Sequence, residues 1–589
     1  MTWRNEGPRG GAFLLEPVTQ REPFILEDFG PDDLHFAEVA ESFVEKEVLP
    51  HTDAIERQEP GLMPRLLKRA GELGLLMLEV PTEYGGLGAS KAAALLVAAR
   101  ACSSGSFTVA WNAHVGIGTL PLVLYGSDEQ RARYLPKLAT GEWIAAYALS
   151  EPGSGSDALG AKTRAVPSAD GQSYRLNGVK QFITNAGFAD LFTVFAKVDG
   201  EKFTAFLIER TYAGVGTGPE EHKLGIKGSS TRQLILEDVD VPAANVLGTI
   251  GAGHKIAFNI LNIGRLKLGG LATAGAARAL SEAIQYAVTR KQFQTPIVQF
   301  GAIQRKIADM AARIYAAESV TYRTVGLLDA GAATLDEHDE SYWRDVQAVT
   351  EEYAIEQSIL KVYGSEVLDF CVDESLQMLG GYGYVEDYGL ARRYRDARIN
   401  RIFEGTNEIN RLLIPGTLMK RAMTGALPLL DFIQHVHADL DAPVESGDGL
   451  LAAEQAALAG AKRLTAYAAG VLVEREPADL SRKQQHLELF SDMICEVYAL
   501  DSAIGRTLKR VRQRGLDACA AEVDLTRLVA ADTTDHIAAA ARRLLSNDPD
   551  SAARHVAAMA KLLTYVPVGS LDLKTRVAER IVATYQPVG

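Results

Sequence analysis

Residues 174–186 read YRLNGVKQFITNA and residues 190–198 read DLFTVFAKV. Both are dense in β-branched and aromatic side chains, which fit a pleated, half-buried surface. FTAFLIER (203–210) and RQLILEDVDVP (232–242) repeat the pattern, with Asn-Gly and Asp-Gly turn signals between or beside them. Residues 146–250 are therefore expected to form a β domain. No helices alternate with these runs and no GxGxxG follows a strand, which argues against a doubly wound nucleotide fold.

On either side of this domain the period changes. PDDLHFAEVAESFVEKEVLP (31–50) and MPRLLKRAGELGLLML (63–78) repeat apolar residues three and four apart, so residues 1–145 read as a helical domain. PTEYGGLG (81–88) reads as a loop between its helices. Past the β domain, Ile256, Ile260 and Ile263 share one helical stripe, and Leu266 to Thr289 is rich in Ala and Leu. Further helices are expected at about 300–330, 340–380 and 404–422, making 251–422 a helical bundle. Residues 423–447, with Pro428 and Pro443, read as a linker, and 448–589 as a further helical domain. The fold class is mainly α with a central β domain.

At 589 residues the chain needs more than one core. Its 75 acidic against 61 basic side chains argue against non-specific nucleic-acid binding. Cys102, Cys371, Cys495 and Cys519 are far apart and form no CxxC pair, so neither a zinc site nor a disulfide scaffold is expected. MTWRNEGPRGGAFLLEP has no charged stretch leading into an apolar run, and no unbroken run of 18 apolar residues occurs. A cytoplasmic protein is the expectation. The basic run LKRVRQR (508–514) has two readings: a solvated helix face, or contact with an anionic membrane surface or acidic partner. The second would place the protein peripherally on the inner face of the membrane.

Seven segments, in order and spacing, resemble the acyl-CoA dehydrogenase family: PTEYGGLG (81–88), YALSEPGSGSD (147–157), FITNAG (182–187), EHKLGIKGSS (221–230), TRKQF (289–293), QMLGGYGY (377–384) and RIFEGTNEI (401–409). Residues 30–420 carry the resemblance, and the segment to 589 resembles the extension of the very-long-chain branch. The resemblance implies a helical domain, a β-barrel-like domain, a four-helix bundle and an additional C-terminal helical domain. It implies FAD as cofactor and α,β-dehydrogenation of a fatty acyl-CoA in β-oxidation. A glutamate takes the α-proton, the β-hydrogen leaves as hydride to flavin N5, and electrons pass to an electron-transferring flavoprotein.

That chemistry needs a positioned base, donors at the thioester oxygen and a hydride acceptor. The resemblance assigns the base to Glu404, with Gly405 allowing close approach of the backbone; read alone, Glu404 is equally a helix N-terminal residue favoured by the dipole. Some relatives carry the base just before an arginine on the helix after the β domain. Here that position is Gly264, before Arg265, and glycine accepts no proton. Arg265 and Asn262 either shape the acyl-CoA site or are structural, Arg265 then being a buried arginine paired to a carboxylate. Gly116 and Gly118 either open the acyl pocket to a long tail or allow close helix packing.

For FAD, the resemblance implies contacts from Tyr147, Leu149 and Ser150 at the ring, from Gly155 and Ser156 at the diphosphate, and from Phe182 and Thr184 beside the isoalloxazine. Phe182 stands where many relatives have tryptophan, which keeps an aromatic face but loses the indole N–H. Arg290, Gln292 and Phe293 resemble the group reaching the diphosphate and adenine ends, although Arg290 alone is equally a helix C-terminal dipole partner. Gln377 and Gly381 resemble the segment supplied by a neighbouring subunit, and Thr406 and Glu408 are expected near the adenine; a homodimer follows. The rivals are an acyl-CoA oxidase passing electrons to O₂, and a non-catalytic interaction protein on the same fold.

Overall fold

The structure, a computed structural model, describes residues 7–442, 449–475, 480–567 and 569–585. The end of the expected linker, from 443, lies outside the described residues; its earlier part includes a helix, Leu429–Ala438, after Pro428. The chain divides into two compact units: Phe29–Lys267 with Gly331–Glu351, and the remainder.

The first unit holds an eight-stranded sheet: β1 Ala145–Ala148, β2 Arg164–Pro167, β3 Ser173–Thr184, β4 Leu191–Val198, β5 Lys202–Glu209, β6 Val215–Thr217, β7 Thr231–Pro242 and β8 Val246–Leu247. The order is β6-β7-β3-β2-β4-β5-β8, with β1 also on β4; β1 and β2 run parallel to β4 and the other pairs are antiparallel. Asp199 and Gly200, both with positive φ, turn β4 into β5, as their Asp-Gly signal implies.

The Asn177-Gly178 signal is not a turn. It lies inside β3, where the register against β7 shifts between Leu176 and Gly178. A Cβ on Gly178 would come within 2.4 Å of Thr163 Oγ1, so its bareness serves close approach of a neighbouring strand.

Helices Leu62–Glu72, Gly105–Ala113, Leu120–Tyr125 and Asp128–Ala139 belong to the same unit. Tyr134, Leu135, Phe195, Leu207 and Ile260 are among the residues of its core. The stretch Gly105–Tyr125 is long and apolar enough to cross a membrane, yet 78% of its apolar 18-residue window is buried, so the core accounts for its composition.

The second unit contains the long helices Gly301–Ala332, Ala354–Leu379 and Asn407–Met423, and the Gly253–Thr289 helix from Leu268 onward. Ala276, Ile284, Ile307, Met310 and Cys371 are central to its core. The C-terminal helices, among them Ala452–Arg475, Gln484–Arg514 and Ala520–Leu545, pack within this same unit. All four cysteines are buried free thiols.

The basic run meets acidic side chains, and they come from within the chain itself. Lys509 Nζ lies 2.6 Å from Asp28, and Arg512 lies 2.7 Å from Glu22. Arg506, just upstream, pairs with Glu27 at 2.7 Å and with Glu318 at 3.2 Å. The chain's own N-terminal segment thus pairs with part of the run, while Arg512, Gln513 and Arg514 remain exposed.

Candidate active site

Arg398–Arg401 forms a 3₁₀ turn, and the next helix begins at Asn407, three residues later than expected. Between them Glu404 (φ 58°) and Gly405 (φ 79°) both take the left-handed conformation. Glycine adopts it without strain, whereas for glutamate it costs on the order of 1–3 kcal/mol and persists only where the surroundings over-determine it. Glu404 is half-buried and stands two residues before the helix cap, Thr406, whose hydroxyl accepts from the Ile409 amide at 3.3 Å. Glu404 is therefore not a first-turn residue; that place belongs to Glu408, whose carboxyl is held below its usual range by its own backbone amide and the Thr406 hydroxyl.

The backbone here is gripped from beneath. Lys361, fully buried on the Ala354–Leu379 helix, donates to Gly405 O at 2.8 Å and to Asn407 Oδ1 at 2.6 Å. Asn410 adds donors to Gly405 O (2.8 Å) and Thr406 O (3.0 Å).

In the same unit, Arg290, Gln292, Gln377 and Gly381 line one open groove of about 590 Å³, with Tyr286 and Tyr382 beside them. Arg290 stacks its guanidinium over the Tyr382 ring at 5.4 Å. Two expected groups, one from TRKQF and one from QMLGGYGY, thus meet within a single chain. If a neighbouring subunit supplies one to a site, it supplies both. Phe293 and Gln294 form the tip of a two-residue hairpin, both at positive φ, and Phe293 is 90% exposed. A Cβ on Gly380 or Gly381 would meet nothing within 4 Å, so their backbone is open to a ligand.

The β unit holds the other expected cofactor contacts. The register of β3 slips between Lys180 and Ile183, and Phe182 there has φ 58° and is 64% exposed. The bulge turns an aromatic side chain out of the sheet. Thr184 ends β3 opposite Thr231.

The loop after β1 closes through paired backbone bonds between Glu151 and Ser154, leaving Gly155 and Ser156 exposed, with open space around Gly155. Glu151 anchors it by accepting from Lys162 N, Thr163 N, Thr163 Oγ1 and the fully buried Lys180 Nζ at 2.5–3.0 Å. Burial works against the Glu151 carboxylate, but Lys180 and Thr163 outweigh it and hold its pKa below the usual range; burial draws Lys180 down to about 8.

Along this strand the side chains of Tyr147 and Leu149 are taken up by the core. The Tyr147 side chain points inward, against Phe195 and Ala257 O, so only its backbone can face a ring. Leu149 is likewise buried, and its carbonyl accepts from Lys180 at 3.2 Å. Ser150 is half-buried and uses its carbonyl to accept from Gln181 N.

A dinucleotide needs a fixed cation, open backbone and aromatic faces; Arg290, Tyr382, Gly380 and Gly381 fit a part of one, and within the β unit Gly155, Ser156 and Phe182 separately fit another. Among the described residues no group of three or more His, Cys, Asp or Glu side chains could hold a metal ion.

Residues 30–142 match the family described as acyl-CoA dehydrogenase, N-terminal domain, and 146–239 match its middle domain. Residues 251–419, and separately 460–560, match families described as acyl-CoA dehydrogenase, C-terminal domain. A probable acyl-CoA dehydrogenase of Bacillus subtilis is 47% identical over 97% of both chains. This chain belongs to the acyl-CoA dehydrogenase family. A crystal structure of an acyl-CoA dehydrogenase complexed with FAD from Bacillus anthracis superposes with a TM-score of 0.95 at 47% identity, covering 99% of this chain and 100% of that one. The very long-chain specific acyl-CoA dehydrogenase of Bos taurus is 39% identical over 68% of this chain, a match spanning 58% of the bovine protein.

In this acyl-CoA dehydrogenase family member the residues expected on the substrate side divide. Asn262 and Arg265 are buried and bonded to each other, Arg265 donating to Asn262 Oδ1 at 2.8 Å. His114–Gly118 forms a π-turn, a wide helical turn frequent at functional sites. A Cβ on Gly116 would make only ordinary contact, 3.5 Å from Lys267 Cδ. On Gly118 it would lie 2.9 Å from Ala113 O and from Ala145 Cβ, so Gly118 serves close packing, the second of its two readings.

The sequence reading missed His114, Lys180 and Lys361. His114 Nδ1 accepts from Ala145 N and Nε2 donates to Leu138 O, each at 3.0 Å, which ties the π-turn to β1. The one available signal was a lone cation within an apolar helix, SILKVYG, at Lys361.

Proposed function

We propose that this protein is an FAD-dependent dehydrogenase of acyl-CoA thioesters with Glu404 as the base. The observation that carries the reading is the strained Glu404–Gly405 turn, a carboxylate held at positive φ by buried hydrogen bonds. When bound, FAD supplies the hydride acceptor for the substrate's β-hydrogen. Glu404 takes the α-proton, and the half-buried setting of its carboxylate limits the water around it. The Glu404 amide, fixed by the turn, donates to the thioester oxygen as enolate charge develops. Phe182 packs beside the isoalloxazine, Gly155 and Ser156 face phosphate, and Arg290 with Gln292, Phe293, Gln377 and Gly381 receives the adenine-side half. Asn262 and Arg265 shape the acyl-CoA site behind the first turns of their helix.

The open groove and the 90% exposed Phe293 support a homodimer in which a neighbour covers this surface. Likeness to the very long-chain specific dehydrogenase, and the room beside Gly116, support a long acyl chain. The family supports an electron-transferring flavoprotein as acceptor for a cytoplasmic enzyme.

Anaerobic flavin bleaching by straight acyl-CoAs from C4 to C20 tests substrate and chain length together. Glu404→Gln should keep bound FAD and slow bleaching by roughly 10²–10⁴-fold; near-normal bleaching would remove Glu404 from the mechanism. Reoxidation by air with stoichiometric peroxide, faster than by electron-transferring flavoprotein, would make the enzyme an oxidase instead.

A further inference from the structure

The Glu404 turn is connected to the C-terminal extension by an unbroken run of hydrogen bonds. Below the turn, Lys361 Nζ holds Gly405 O and Asn407 Oδ1. Asn407 Nδ2 donates onward to Glu366 Oε1 at 3.0 Å, and Glu366 receives Arg411 through two parallel bonds of 2.7 and 2.9 Å. Arg411 turns its Nε to Asp492 Oδ1 at 2.7 Å, on the Gln484–Arg514 helix. The neighbouring Ser491 hydroxyl donates to Arg411 O, so the extension holds both the side chain and the backbone of Arg411.

The charges balance: two cations, Lys361 and Arg411, against two carboxylates, Glu366 and Asp492. Arg411 is the covered member, its side chain 16% exposed, while Glu366 and Asp492 are 40% exposed. A planar guanidinium that bonds one carboxylate through a fork and another through Nε has its plane fixed by both. Arg411 lies four residues after Asn407 on the same helix, so fixing it fixes the start of that helix and the turn before it.

We propose that Asp492, Arg411, Glu366 and Lys361 are positioning residues through which the C-terminal extension fixes the turn that carries Glu404. The inference rests on Glu404 being the base. It gives the extension a part in catalysis: without Asp492, Arg411 has one carboxylate fewer to hold its plane, and the Asn407 end of the helix loosens. The cost falls on the alignment of the carboxylate with the α-carbon, where a displacement of about 1 Å costs up to about a hundredfold in rate.

Full-length, FAD-loaded protein carrying Asp492→Asn tests this, with anaerobic bleaching by hexadecanoyl-CoA as readout and Glu404→Gln run in parallel. Asp492 is partly exposed and Asn keeps its size, so the variant is expected to fold. The maximal bleaching rate should fall about tenfold, with FAD content and half-saturating substrate within about twofold of the parent. Asp492→Glu, which retains the charge, should recover most of that loss. An unchanged rate for Asp492→Asn, or a rate that falls only in step with lost FAD, overturns the proposal. If Glu404→Gln bleaches normally, the base assignment fails and the proposal with it; if Glu404→Gln is inert while Asp492→Asn is normal, only the positioning role fails.

Discussion

Two turns in the helical unit carry large side chains at positive φ, and they are built in opposite ways. At Glu404 the strained backbone is enclosed: Lys361 and Asn410 both donate to the next carbonyl, and Thr406 caps the helix that follows. At Phe293 the strained backbone stands in solvent, with its aromatic ring 90% exposed at a hairpin tip. The enclosed turn has its conformation fixed by the protein itself, which suits a group that must meet a reacting atom at one angle. The bare turn presents apolar surface and gains nothing until something covers it, which suits a group that grips a cofactor or a neighbouring chain. The β unit repeats the contrast, with His114 enclosed between Leu138 and β1, and Phe182 turned out by a bulge.

If the distinction is sound, enclosed sites should fail through stability and bare ones through binding. The largest effect expected is at His114. Burial pushes its imidazole down to about 4, so it stays neutral in the folded protein while the unfolded chain takes up a proton below about 6.5. Its contribution to stability is whole above pH 6.5 and is lost as the pH falls from there toward 4, amounting to about 3 kcal/mol. Denaturant unfolding across pH 4–7 should show this slope, and His114→Gln should flatten it; an unaltered slope would mean that the histidine is not the group responsible.

Next comes Gly118→Ala, which overpacks the join between the π-turn and β1 and should cost about 1–3 kcal/mol. Gly116→Ala, with only ordinary contacts to make, should cost far less, and similar melting temperatures for the two would erase the difference drawn between them. The smallest effect belongs to the bare turn. Phe293→Asn, which places a residue tolerant of positive φ there, should leave unfolding of the FAD-free protein unchanged or slightly improved. It should weaken FAD binding about fivefold, by loss of an aromatic contact worth about 1 kcal/mol. A loss of stability without loss of FAD would place Phe293 among the enclosed sites.

The order of helical, β and helical regions was legible because it rests on local periodicity, and the RIFEGTNEI segment exposed the unusual Glu404-Gly405 pair. What escaped depended on distant partners. Asn177-Gly178 has the composition of a turn, but pairing with β7 makes it a bulge. Gly116 and Gly118 look alike in sequence and differ only in what lies opposite, Lys267 for one and Ala145 for the other. The helix expected at 404 begins at 407 because two residues at positive φ cannot join it. Arg411 reads as one more charge on a helix until Glu366 and Asp492, 45 and 81 residues away, close around it.

The pairing of Glu22, Glu27 and Asp28 with Arg506, Lys509 and Arg512 also sets a schedule. Glu27 and Arg506 are 479 residues apart, so the acidic end leaves the ribosome long before its basic partners exist. At about 5–20 residues per second that interval is roughly half a minute to a minute and a half. For that time the acidic segment must wait while the β unit can already fold, and it comes to rest only after Arg506, Lys509 and Arg512 have been made. Its docking is a late step, made by residues that were born long before their partners.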